Sequence, residues 1–148
     1  MAKNIPLNER IIFALDVDSP GEAERWLDRL GEQVNFYKVG LQLFLAGGFP
    51  VIETILKRGH KVMVDLKFFD IPETVALAVR ALKHRGATFI TVHGNDPILR
   101  AAVQERGDAR ILAVTVLTSF DESDMREMGL TGTIRSEERR VGKECRSR

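Results

Sequence analysis

"KVMVDLKFFDIPETVALAVRALKHRG", residues 61–86, changes its hydrophobic period partway along. As far as Leu66 it is apolar and β-branched, as expected of a strand buried on both faces. From Pro72 onward, Val75, Val79 and Leu82 recur at helical spacing until Gly86 ends the pattern. A strand feeding a helix through a short turn is a βα unit, and the turn is where the charges gather: Asp65, Lys67 and Asp70. Side chains alternate along a strand, which puts Met63, Asp65 and Lys67 on one face and Val64 and Leu66 on the other. Asp70 falls beyond the strand, in the loop. Pro72 suits the first turn of the helix, where a missing N–H costs nothing.

The same unit recurs on both sides of this stretch. Apolar runs at Ile11–Val17, Asn35–Gly40, Lys61–Leu66, Thr88–His93 and Arg110–Leu117 predict strands, each followed by helical spacing, with a repeat of roughly 25 residues. In the first helix Ser19 is the cap, Pro20 suits the first turn, Glu22 completes a capping box, and Ala23, Trp26, Leu27 and Leu30 form the buried stripe before Gly31. Val51, Ile52, Ile55 and Leu56 repeat the stripe before Gly59, and the fourth helix spans about Pro97 to Gly107. Gly47-Gly48 does not directly follow a strand and reads as a break inside the second helical segment.

Composition sets the outer limits. The chain has 148 residues, is 44% hydrophobic and carries a formal net charge of +1, which suits one core and gives no global attraction to nucleic acid or a membrane surface. No apolar run approaches the roughly 20 residues of a bilayer span. Cys145 is the single cysteine, and the N-terminus lacks a signal-peptide layout, so the expected setting is soluble and cytoplasmic.

Alternating strands and helices imply a parallel sheet in an α/β fold. A doubly wound nucleotide-binding sheet calls for a glycine-rich turn after its first strand, whereas this chain has "DVDSPGEAE" at 16–24. A (β/α)8 TIM barrel instead gathers its working residues where strands end, and Asp16, Asp18, Lys38, Asp65, Lys67, His93 and Thr118 all fall there. Such a barrel needs eight units in about 250 residues. The expected architecture is therefore the N-terminal portion, about five βα units, of a (β/α)8 barrel.

Asp65 and Lys67 alone are equally readable as a structural ion pair, and Lys38 as a solvated lysine. Their common position at consecutive strand ends favours a site. His60 and His84 lie near helix ends on the opposite side of the repeat and read as structural, while His93 is at a productive strand end. No histidines and carboxylates have metal-ligand spacing.

"FALDVD" (13–18), "FYKVG" (36–40), "DLKFFDIPET" (65–74) and "VTVLTS" (114–119) resemble, in order and spacing, the orotidine 5'-phosphate decarboxylase family over residues 9–134. The resemblance implies a barrel enzyme that converts orotidine 5'-monophosphate to UMP and CO2 in pyrimidine biosynthesis, with no metal or organic cofactor. It also implies that Lys67 protonates C6 and that Lys38, Asp65, Lys67 and Asp70 form an alternating catalytic array. Asp16 and Lys38 would contact the ribose and Thr118 would lie near the pyrimidine. Ile71, Pro72 and Thr74 complete the substrate-binding set. The family's site lies at a homodimer interface, with Asp70 and Thr74 serving the neighbouring subunit. Phe69 stands where many members have histidine.

Sugar-phosphate decarboxylases similar to 3-keto-L-gulonate 6-phosphate decarboxylase share D-x-K-x-x-D but use it around Mg²⁺, and their second strand ends in an acidic residue, so Lys38 favours the orotidylate reading. A Schiff-base aldolase is a lesser alternative, because carboxylates on both sides of Lys67 favour its charged form. From Arg135 the chain reads "RSEERRVGKECRSR". It lacks the aromatic interleaving of a nucleic-acid tail. The expected organisation is a partial barrel domain at 1–134 and a disordered, non-native tail at 135–148. The family's phosphate-gripping later loops are not recognisable, so weak or no activity in this chain, or an inert barrel fragment, is a further expectation.

Overall fold

A computed structural model describes residues 4–136; the expected tail lies outside them from residue 137 onward. The elements follow the order β1 (Phe13–Ala14), α1 (Pro20–Leu30), β2 (Phe36–Gly40), α2 (Leu41–Lys57), β3 (Lys61–Phe68), α3 (Pro72–Lys83), β4 (Phe89–His93), α4 (Asp96–Glu105), β5 (Arg110–Val114) and α5 (Glu122–Glu127). All strand pairs are parallel and the spatial order is β1-β2-β3-β4-β5, so each strand lies beside its neighbours in sequence. A doubly wound sheet reverses its strand order partway across, and this one does not. The winding is that of a (β/α)8 barrel, of which five βα units are present.

Local chemistry accounts for most boundaries. The Ser19 hydroxyl accepts from the Glu22 N–H at 3.4 Å, Pro20 opens α1, and Gly31 closes it with φ 49°, in the left-handed region glycine tolerates. Inside α2, Gly48 takes φ 57° and ψ −147°, so the expected break is present. Gly47 has no room for a Cβ, which would run into Val51 and Pro20. Two strands are shorter than predicted by more than one residue. β1 pairs only at Phe13 and Ala14, and the residues leading into it, Ile11 and Ile12, face solvent. β5 ends at Val114, where the chain turns toward α5. That last helix was not foreseen; Asp121 and Asp124 cap it reciprocally.

The register puts Ala14, Lys38, Met63, Phe89 and Arg110 on one level and one face. The opposite face carries Tyr37, Val39, Val62, Val64, Ile90 and Val92, all fully buried against Ile52, Ile55, Val75 and Val79 of α2 and α3. Burying each such side chain stabilises the fold by roughly 1.5–3 kcal/mol. The helix-covered face is therefore the core. The other face holds the Phe36–Phe89 stack, with ring centroids 5.3 Å apart, and the polar residues considered next.

Candidate active site

Beyond Lys61 and Arg110, which open β3 and β5, the inner face carries charges toward the carboxyl ends of β1, β2 and β3. Lys38 sits level with Met63, one rung below Asp65, and its long side chain rises to place Nζ 3.5 Å from Asp65 Oδ2. Gly40, directly opposite Asp65, puts no side chain in the way. On its other side Lys38 Nζ is 3.3 Å from Asp16 Oδ1, and Lys67 Nζ donates to Asp65 Oδ2 at 3.0 Å. The result is a line of alternating charge, Asp16–Lys38–Asp65–Lys67, drawn from three successive strand ends. Asp65 is its buried centre, with a side chain 9% exposed, while the Lys67 side chain at the end of the line is 44% exposed.

Strict alternation does not carry through to Lys67. The β3–β4 ladder slips between Val64 and Phe68, and Lys67 has φ 47°, the single non-glycine positive φ among the described residues. A left-handed residue costs roughly 1–2 kcal/mol. The twist turns the lysine amide toward β4, where Thr91 Oγ1 accepts from it at 2.9 Å, and the same hydroxyl donates to Asp65 Oδ1 at 2.9 Å. Burial alone would raise the Asp65 carboxyl. Hydrogen bonds from Lys67 and Thr91, with the charges of Lys67 and Lys38, outweigh it and hold the group below the usual carboxylate range.

The other expected positions are dispersed. Asp70 is exposed and its carboxylate turns back to accept from the Ile71 N–H at 2.6 Å; among the described residues it joins no ion pair. Ile71, Pro72 and Thr74 are exposed where α3 begins. Thr118 is exposed on the turn after β5 and does not line the cavity beside Lys67. That cavity, about 270 Å³, is lined by Lys67, Phe69 and His93 together with the stretch 114–117, Phe120 and Met128. Phe69 stacks on His93 at 4.1 Å, so His93 does line a pocket. His60 lies at the far end of the sheet, 3.0 Å from Asn35 and against Tyr37, and Trp26 packs on Phe13, as structural residues do. Sequence reasoning missed Thr91, Phe120 and Met128. Thr91 had one available signal: it lies two residues before His93, on the same face of a strand otherwise apolar at its centre.

A singly wound parallel β/α sheet with an alternating acid–base line at the carboxyl ends of its strands defines part of a (β/α)8 barrel that carries a charged site where barrel proteins place their working residues. The chain belongs to the orotidine 5'-phosphate decarboxylase / HUMPS family, whose model matches residues 9–144. That match extends past residue 134. An orotidine 5'-phosphate decarboxylase of Methylococcus capsulatus is 52% identical over 128 residues, covering 86% of this chain and 53% of its own. One from Rhodopseudomonas palustris is 49% identical over 129 residues, covering 86% and 55%. A crystal structure of the Lactobacillus acidophilus orotidine 5'-phosphate decarboxylase superposes with a TM-score of 0.78 at 33% identity, covering 86% of this chain and 62% of that one. The chain thus spans about half the length of the curated relatives it matches.

Proposed function

We propose that this site serves the decarboxylation of orotidine 5'-monophosphate to UMP and CO2. The observation that carries the reading is the Asp16–Lys38–Asp65–Lys67 line, which ends in a partly exposed ammonium beside an apolar cavity. When the bond from C6 to the carboxylate breaks, the electron pair stays on C6, where no adjacent carbonyl can delocalise it. The site must then offer a fixed positive charge and a proton. Lys67 Nζ supplies both, and the low-dielectric cavity wall strengthens the charge interaction. Asp65, next to the place of the leaving carboxylate, disfavours the ground state by like-charge repulsion and fixes the lysine. No oxidant, metal or organic cofactor enters this balance.

In this reading Asp16 and Lys38 hold the ribose hydroxyls and Thr118 approaches the pyrimidine. Asp70 and Thr74 act at the site of a second copy in a homodimer, and Ile71 and Pro72 contribute to substrate binding. Their exposure, together with Phe69 and Ile71 at 68% and 66%, supports that assignment. A reducing cytoplasm suits a chain with one cysteine, and we assign no nucleic-acid or membrane partner; among the described residues no helix is long and apolar enough to cross a membrane. An ammonium where the Mg²⁺-using sugar-phosphate branch has a carboxylate weighs against that alternative.

The test follows the loss of substrate absorbance in the 148-residue chain and in the same chain extended to its relatives' full length. The extended form should turn over; the short form should be much weaker, because binding energy from the phosphate end is spent on the chemical step. Lys67→Ala in the extended form should lose at least about 100-fold in kcat. Near-normal turnover by that variant removes the proposed proton donor.

A further inference from the structure

We propose that Thr91 is a positioning residue for the Asp65–Lys67 pair: one hydroxyl on β4 orients the carboxylate and holds the lysine backbone in its left-handed turn. Both functions of the hydroxyl are committed. An ionised Asp65 can only accept, so the Thr91 proton points to Oδ1 at 2.9 Å, leaving an oxygen lone pair to accept from the Lys67 N–H at 2.9 Å. The two bonds run to residues two apart on the adjacent strand, at the place where the β3–β4 ladder slips. A slipped ladder leaves an amide without its carbonyl partner, and Thr91 takes that amide. Asp65 Oδ2 is left to the two lysines, Lys67 at 3.0 Å and Lys38 at 3.5 Å. Thr91 is 3% exposed, so water does not compete readily for either bond.

The groups facing Asp65 from each neighbouring element can be named. Lys38 stands on β2 with Asp16 behind it, Lys67 follows on β3, and Thr91 lies on β4 with His93 two residues on. From β5 the residue level with Thr91 is Leu112, which carries no charge. Thr91 is therefore a neutral group that hydrogen-bonds to both members of the pair. Its bearing on turnover rests on the decarboxylase reading, whereas its two hydrogen bonds do not.

The experiment records the pH titration of the Asp65 carboxyl carbon and of the Lys67 amide by NMR in the 148-residue chain, in Thr91→Val, which keeps the shape without the hydroxyl, and in Thr91→Ser, which keeps the hydroxyl. In the parent chain the Lys67 amide should show a step at the Asp65 midpoint. In Thr91→Val that midpoint should move up and the amide step should shrink or vanish, and Thr91→Ser should restore both. An unchanged midpoint in Thr91→Val overturns the proposal. So does a Lys67 amide in the parent chain that is blind to Asp65, a measurement that decides the matter even if the valine variant does not fold. In the full-length form Thr91→Val should lower kcat about tenfold with KM moving less, and serine should recover it. Equal loss in both parameters with no recovery would mean a merely structural residue. Absence of decarboxylation in every form would sink the functional reading and leave the titrations standing.

Discussion

Asp65 is the residue on which the most depends, because it is the acceptor for both lysines and for Thr91. Its carboxyl is held below its ordinary value in the folded chain. A depressed carboxyl contributes stability that is present above its unfolded value and is lost as pH falls through the folded one. Asp65→Asn should accordingly be less stable than the parent near neutral pH, by about 1–3 kcal/mol once screening of the partly exposed lysines is allowed for. The gap should close as pH drops below about 4. Urea unfolding at several pH values reads this directly, and a gap independent of pH would refute it. Asp65 and Lys67 were legible in the sequence because charges at the end of an apolar strand are conspicuous. Thr91 was not, because a threonine in a strand is an ordinary β-branched residue until its neighbours are known. Asp70 shows the converse: the motif names it, yet within one chain its carboxylate satisfies only its own loop.

Among the elements, α1 was the most legible, since its cap, first-turn proline and terminal glycine are all written in side-chain types. Ser19→Ala should cost about 1 kcal/mol, measured as a lowered denaturation midpoint with unchanged slope. The break in α2, at Gly48, was legible as Gly47-Gly48, whereas the close packing of Gly47 on Val51 and Pro20, which leaves no room for a side chain, was not. Gly47→Ala should therefore destabilise by about 1–3 kcal/mol despite alanine's better helix propensity. A stabilised variant would show that α1 and α2 can separate freely. The slip in β3 left no trace in the sequence. Hydrophobic alternation reports which face a residue takes while the strand is regular, and Lys67 departs from regularity for lack of a ladder partner, a relation between two strands.

At the scale of the molecule, the parallel, sequential sheet could be read from repeat length and apolar runs, since each unit carries its own signal. Which face the helices seal could not, because the alternation separates the two faces without saying which one is covered. One is sealed under helices and the other is open, so equal hydrophobes differ in value. Ile55→Ala, on the sealed side, should cost about 2–5 kcal/mol, and Leu112→Ala, a residue 36% exposed on the inner side, much less. Comparable losses in urea unfolding would show that the inner face is covered in solution. The strand order has a kinetic consequence too. Every ladder joins segments only about 25 residues apart, so each closure costs little chain entropy and none waits for a distant segment. Such a sheet can grow in the direction of translation, one strand docking on the last as the chain leaves the ribosome. Asp16, Lys38, Asp65 and Lys67 would meet once β3 has docked, and the arrival of β4 would then bring Thr91 to lock them.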